Sequence, residues 1–370
     1  MNVPGVVAEN WNLELLSRSS DIAALAQRAP RLFHDRPATA GPRFFLASVT
    51  RSVWIPRVVV VKRGDEIEGV VYAKERKFAG LATGVLFGHS TPGTLVVASP
   101  DRDEAVLEQA LRFLLAERRF QGIRILVPAH GFESRVMQRA AVRCRAEFSQ
   151  FEDSYHHVVP LSLDYERFLT SLSAKFRRNM RYYRRRYEAA GHHYVENMDL
   201  AEFRRVAFRI LDRSVVGGSR EGVIRALSIF SEVDRPLLVG LRHRDGEWVA
   251  ILGGWCEDDR PIVFFQMNND RDYSADSLSV VLRGYFLETL IAQGHREVFF
   301  WAGVGGPLAR GAVAYPSFRA CVDAHTLRWR ATRSLVKALA PVLPQRLHSA
   351  MDWIAPSSGQ WCDVDVQELA

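Results

Sequence analysis

The sequence predicts an α/β fold of two tandem halves, each a mixed, twisted sheet flanked by helices. Three observations predict it. The 370 residues suffice for about two domains of roughly 150 residues each. One order of elements (strand pair, strand, helix, strand) occurs twice, about 180 residues apart. In each half a glycine separates the helix from the closing strand, in QGIRILV and in QGHREVFF.

Residues 1–50 read as helical turns and loops, with Pro30, Pro37 and Pro42 interrupting any long element. RVVVVK, Arg57 to Lys62, is β-branched and apolar; Arg63-Gly64-Asp65 turns the chain, and Glu66 to Ala73 alternates outward as its partner. A glycine-rich stretch follows near 80–95, then an apolar segment from Thr94 to Ala98. Val106, Leu107, Ala110, Leu111, Leu114 and Leu115 share one face of a helix over 103–119, which Gly122 closes before a strand at 123–127. In the second half, PLLVGLR (236–242), EWVAILGGWC (247–256) and PIVFFQM (261–267) are the strands. A helix over 277–292 turns Leu278, Val281, Leu282, Tyr285, Phe286 and Leu290 inward, Gly294 ends it, and 298–301 is the closing strand. The predicted domains are 1–160, 161–325 and a basic helical extension, 326–370.

Composition narrows the function classes. With 48% hydrophobic and 25% charged residues the chain is a folded globular protein, not a disordered one. No apolar run approaches the roughly 20 residues that span a bilayer, and Met1 to Gly5 lacks a basic start leading into an apolar stretch. A cytoplasmic protein without integral membrane association is expected. Cys144, Cys256, Cys321 and Cys362 lie far apart, with no C-x-x-C pair, so free thiols are expected and a metal site is not. Forty-nine Lys and Arg against 42 Asp and Glu give +7. Arginine predominates, and its planar fork suits phosphate; a codon bias toward arginine would give the same average.

Clustering distinguishes these two. Residues 164–190 contain neither Pro nor Gly and predict one continuous helix, with Phe168, Leu172, Phe176, Met180, Tyr183 and Tyr187 as its buried stripe. Lys175, Arg177, Arg178, Arg181, Arg184, Arg185 and Arg186 cover the rest. Like charges at i,i+4 cost a few tenths of a kcal/mol per pair, so something outside the helix neutralises them. Salt bridges to the rest of the protein would do so, as would an anionic partner. Arginine interleaved with Tyr182, Tyr183 and Tyr187 suits RNA, whose bases stack on both kinds of plane. It also suits a nucleotide diphosphate.

The repeated unit is similar to the core of the GNAT acyltransferase fold, and two in tandem resemble the Fem-type peptidoglycan-bridge aminoacyltransferases. The resemblance is strongest at Tyr165 to Gly191, YERFLTSLSAKFRRNMRYYRRRYEAAG. This looks like the opening of the domain shared by Fem-like and cellulose-synthesis-associated GNAT proteins. It covers roughly 160–325 and reaches 50–160 only as a degenerate pattern. It implies two central strands that splay apart to admit an acyl donor. Ordinary acetyl-CoA-dependent members cradle pyrophosphate in a glycine-rich loop before the following helix. The equivalent stretch here, Asn268 to Ser277, has no glycine and three carboxylates, which repel a pyrophosphate. Fem-type enzymes lack that loop too and take aminoacyl-tRNA.

The resemblance places Gln266, Asn268 and Asn269 on one side of the splayed ends, with Trp301 and Gly303 on the other. Asn268 is a candidate oxyanion donor, and Asp270 or Asp272 a candidate proton acceptor or holder of the donor's ammonium group. Tyr273 joins the substrate-binding candidates. Farther on, Arg310-Gly311, Pro316 and Ala324-His325 resemble the ending of one Fem-like subgroup, whose phosphate-binding Lys is absent here. Arg310 is a substitute contact and His325 a candidate base. Phe87 to Gly93 reads either as a wall of an acceptor pocket or as a connecting turn. Leu327 to Leu347 reads as a second basic helical region.

The leading expectation is an aminoacyltransferase, with tRNA contacts from Lys175, Arg177, Arg178, Arg181, Arg184 and Arg185. It would form an amide on a small metabolite or cell-wall precursor, with no DNA partner and no cofactor beyond its co-substrate. The rivals are an acyl-CoA-dependent N-acyltransferase and a scaffold that binds RNA or protein without turnover.

Overall fold

Strand-forming residues gather into two sheets, each the floor of its own contact unit. The computed structural model describes residues 10–49, 52–78, 80–89, 94–117, 119–153, 156–214, 219–301, 303–304, 306–339 and 354. The first unit takes the chain up to Glu152 and again from Ser317; the second takes Asp153–Pro316.

The chain begins with β1 (Trp11–Leu16) and short helices α1 (Ser19–Ala23), α2 (Leu25–Arg28), α3 (Pro30–Phe33) and α4 (Pro42–Ser48). Then come β2 (Trp54–Arg63), β3 (Glu66–Phe78), β4 (Leu81–His89), β5 (Val96–Ala98), α5 (Asp103–Ala116), β6 (Gly122–Pro128), α6 (Glu133–Arg143) and β7 (Glu147–Asp153). The second unit follows with β8 (His157–Pro160), α7 (Tyr165–Ser171), α8 (Ala174–Ala189), β9 (His193–Val195), α9 (Leu200–Leu211) and α10 (Arg220–Phe230). Its sheet continues through β10 (Pro236–Arg242), β11 (Trp248–Glu257), β12 (Arg260–Asn268), α11 (Leu278–Ala292), β13 (Glu297–Phe300) and β14 (Val313–Ala314). The chain then returns to the first unit as β15 (Ser317–Asp323) and α12 (Leu327–Leu339).

The first sheet runs β1-β2-β3-β4-β6-β15-β7, with β5 paired to β3; the second runs β14-β8-β13-β12-β11-β10-β9. Valines 59, 61 and 71 and the apolar face of α5 pack with α6 as one core. In the second unit α7, α8 and α11 bury Phe168, Met180, Leu282 and Phe286 against Val239, Leu252 and Val263 of the sheet. Phe203 of α9 and Phe230 of α10 are buried as well. The two units thus repeat hairpin, strand, helix and strand, as the sequence order implies.

Four expectations change. The first 50 residues hold a strand, β1, laid antiparallel on β2 from Trp11↔Arg63 to Leu16↔Val58. The glycine-rich stretch near 80–95 contains β4, so Phe87 to His89 lie in a strand, while Ser90 to Gly93 fall outside the described residues. Gly88 allows this pairing because a Cβ there would meet Leu95 Cδ1 at 2.7 Å. The helix over 164–190 is two helices. Leu172 leaves helical geometry, and Ser173 starts α8 by accepting from the Phe176 amide at 3.4 Å. Finally, Ser317–Asp323, placed by the sequence at the end of the second domain, pairs with β6 from Ser317↔Pro128 to Asp323↔Gly122. Of the C-terminal basic region, α12 to Leu339 is described, and its Trp329 packs with Trp54 and Phe87.

Asp323 anchors that returning strand. Its Oδ1 receives Arg124 Nη2 at 2.7 Å and Trp329 Nε1 at 2.8 Å, and both members of the ion pair are buried. Asp323→Ala strands the Arg124 charge, so a loss of about 3–5 kcal/mol is expected in urea unfolding of the first unit, recovered largely by adding Arg124→Leu. A loss under about 1 kcal/mol would contradict it.

Among the described residues no helix is long and apolar enough to cross a membrane, and no group of three His, Cys, Asp or Glu could hold a metal ion.

Candidate functional site

The second sheet opens where its two parallel strands part. β12 and β13 are in register only at Ile262↔Phe299 and Val263↔Phe300. The Trp301 amide still donates to Val263 O at 2.9 Å, and after it the chain leaves the sheet. β12 runs on to Asn268, held on its other edge by β11 from Gly253↔Phe265 to Ala250↔Asn268. A bulge between Gly253 and Gly254 leaves Phe264 without its own partner. Gly254 permits it, since a Cβ there would lie 1.9 Å from Ile262 O. The corresponding seam of the first unit is closed: β4 and β6 pair without a break from Val85↔Gly122 to His89↔Leu126. The opening belongs to the second unit alone among the described parallel pairs.

Gln266 and Asn268 stand together on the unpaired stretch of β12. Gln266 Nε2 donates to Asn268 Oδ1 at 3.3 Å, and Arg283 Nε of α11 donates to Gln266 Oε1 at 2.7 Å. Burial pulls the Arg283 guanidinium down to about 10. Sequence reasoning passed over Arg283. Its signal was present: it is the one cation in the mostly apolar helix LSVVLRGYFLETLIA.

Asn269 shapes the loop that follows. Its side chain donates to Asp272 Oδ2 at 2.9 Å and accepts from the Asp272 amide at 3.2 Å, folding the loop upon itself. Arg213 ties that loop down by pairing with Asp272 at 3.1 Å and Glu247 at 2.8 Å. Tyr273 packs its ring 5.5 Å from His243, and burial, with Glu247 and Asp245 nearby, raises its hydroxyl pKa. Trp301, on the other arm of the fork, meets Phe264 edge-on at 5.2 Å. Arg310 ends the short 3-10 turn Gly306–Arg310 and is exposed. His325 is exposed too, but it follows β15 in the first unit.

Asp270 remains a half-buried carboxylate two residues beyond Asn268. Among the described residues it makes no hydrogen bond or ion pair, and burial alone raises its pKa. The folded state thus holds its proton more tightly than the unfolded chain. The cost of its charge is absent in acid and grows as pH rises through the raised pKa. Asp270→Asn is expected to melt higher than the parent at pH 7, by about 2 °C or less because the group is partly solvated. The gap should close below the ordinary Asp value of about 3.9. Equal melting temperatures at pH 7 in a pH series would rule this out.

The basic helix is partly neutralised from within. Arg181 pairs with Glu166, Arg186 with Asp276 at 3.0 Å, and Arg184 with Glu188 at 2.9 Å and Glu288 at 2.5 Å. Arg184 also lies 4.2 Å over the Tyr285 ring. Arg177 donates to the Thr170 carbonyl at 3.3 Å, and Arg185 Nε to the Arg181 carbonyl at 3.2 Å. Among the described residues Lys175, Arg177, Arg178 and Arg185 meet no carboxylate. Lys175, Arg178 and Arg185, with Tyr182, are exposed along one outer ridge of α8.

Residues 174–307 match the family model described as an acetyltransferase (GNAT) domain. Comparison with curated protein sequences gives no match. Among solved structures, a conserved protein of unknown function from Bacteroides thetaiotaomicron VPI-5482 is similar with TM-score 0.54 and 13% identity, covering 84% of this chain and all of that one. FemX gives TM-score 0.51 at 10% identity, over 83% of this chain and 96% of its own. The C-terminal domain of a lysylphosphatidylglycerol synthetase, itself described as putative, from Agrobacterium fabrum gives 0.51 at 10%, over 84% and 94%. At such identity these likenesses speak for fold. Residues 174–307 of the second unit thus match an acetyltransferase (GNAT) domain, in a chain with the fold of tandem GNAT proteins.

Proposed function

We propose that the second unit moves an aminoacyl group from aminoacyl-tRNA to the amine of a small metabolite or cell-wall precursor, forming an amide. The observation that carries this reading is the entrance to α11. Where a coenzyme A pyrophosphate would need backbone amides, the chain from Asn268 to Ser277 has no glycine. Ser277 sits in left-handed geometry at φ 48° without a side-chain cap. Of the three carboxylates there, Asp272 and Asp276 are paired with arginines and Asp270 is not. At roughly 6 Å a uncompensated carboxylate opposes each phosphate charge by between about 0.7 and about 3 kcal/mol, depending on solvent access. The ridge of Lys175, Arg178 and Arg185 offers phosphate contacts elsewhere, spaced along a helix as a nucleic-acid backbone requires.

In this chemistry a neutral amine attacks the ester carbonyl carbon, a C–N bond forms, and the carbonyl oxygen becomes an oxyanion. Collapse breaks the C–O bond to the terminal ribose of the tRNA. The proton lost by the amine passes to that ribose oxygen, directly or by way of Asp270. Asn268 Nδ2 supplies a hydrogen bond to the oxyanion, and an activated ester leaves positioning to do much of the rest.

The test is product formation with charged tRNA, with and without RNase. RNase-sensitive amide formation is the expected result; turnover that survives RNase and requires acyl-CoA overturns it. That second outcome is the acyl-CoA-dependent N-acyltransferase, a reading favoured by the acetyltransferase description of the matched family. Thermal stabilisation by coenzyme A but not by tRNA would point the same way.

A further inference from the structure

Arg283 lies at the fork itself. Its guanidinium carbon is 5.9 Å from the ring of Phe300, the last residue of β13, and its Nε reaches Gln266 of β12. It therefore touches both arms of the opening. A guanidinium can only donate hydrogen bonds, so the Gln266 atom that faces it is the oxygen. The amide nitrogen of Gln266 is then the end turned to Asn268, where it donates to Oδ1. With its oxygen so engaged, Asn268 presents its NH2 group on the side away from Gln266. Either amide alone could turn over at little steric cost, because its two ends are alike in size. A donor-only group at the head of the chain removes that freedom.

We propose that Arg283 is a positioning residue for acyl transfer: through Gln266 it fixes the direction of a two-amide relay, so that Asn268 offers N–H rather than C=O to the carbonyl oxygen of the bound acyl donor. Gln266 is then a relay and not a substrate contact. The inference rests on the acyl-transfer reading but not on whether the donor is an ester of tRNA or a thioester. The setting of Arg283 supports the assignment, since its guanidinium is largely withdrawn from water beside Gln266 and Phe300, a place that an apolar side chain could fill without desolvating a charge.

The test has two arms. Protein carrying 15N in asparagine and glutamine side chains gives NH2 signals assigned by their loss in Asn268→Ala and Gln266→Ala. In folded Arg283→Met both signals are expected to move and the Gln266 NH2 to exchange faster with water; Arg283→Lys, still only a donor, keeps the parent positions. In the kinetic arm, with charged tRNA and acetyl-CoA tried separately as donors, Arg283→Met is expected to lower kcat about 100-fold. Donor KM should stay within about twofold, Arg283→Lys should recover part of the loss, and the double variant with Asn268→Ala should be no slower than Asn268→Ala alone. Unmoved NH2 signals in Arg283→Met, or kcat losses that multiply in the double variant, overturn the relay. If neither donor is used by the parent protein, acyl transfer itself fails, and the NH2 signals still decide the relay.

Discussion

Arg178→Glu combined with Arg185→Glu is expected to weaken tRNA binding by at least about 100-fold, since each lost charge-assisted contact is worth about 1.5–3 kcal/mol. The neutral pair, Arg178→Ala with Arg185→Ala, should make the log–log dependence of affinity on salt shallower by about two. These two were chosen because they are exposed on α8 and meet no carboxylate among the described residues. Arg184 is the contrasting control. It joins α8 to α11 through Glu288 and Tyr285, so Arg184→Met should lower the melting temperature and leave the salt slope alone. Filter binding or fluorescence anisotropy across a salt series decides the matter. An unchanged slope in the double alanine variant would remove α8 as the docking ridge, whatever the donor turns out to be.

Asn268→Ala is expected to lower kcat about 10²–10³-fold with little change in donor KM, the loss typical of one oxyanion donor. Asn268 is buried at the end of β12, and its oxygen is turned to Gln266, so its N–H end is the one that faces away toward a substrate. Asn268→Asp removes the donor and adds a negative charge, and should be the more severe change. If single-turnover rates with the accepted donor stay within about threefold of the parent, the oxyanion contact lies elsewhere.

What the sequence revealed depended on how local the physics was. The strands 236–267 and the helix after them were readable because alternation and 3.6-residue periodicity are local, and Gly294, at φ 86°, marks the end of α11 plainly. β4 escaped because Gly84 and Gly88 look like loop residues until the packing of Leu95 against Gly88 is known. The break at Leu172–Ser173 contains neither Pro nor Gly; only the capping hydroxyl of Ser173 announces it. The charge of α8 was legible, its neutralisation was not: Glu166 and Glu288 lie 15 and 104 residues from the arginines they meet. Gln266 and Asn268 stood out as candidates because they end a strand. Nothing local says that the Asn269 amide turns back onto Asp272. Arg283 was overlooked because an amphipathic reading picks out the apolar residues of one face and passes over the lone cation among them.

The return of the chain as β15 sets an order of events during synthesis. The neighbour of β6 is made some 200 residues after β6 itself, as the pairing of Gly122 with Asp323 requires. Until then the growing amino-terminal half carries an open strand edge and an Arg124 side chain whose counter-charge has not yet been translated. A nascent chain stalled before Ser317 should therefore be sensitive to protease in its earliest-made half, and a gene cut between the two halves would yield an amino-terminal fragment missing an interior strand.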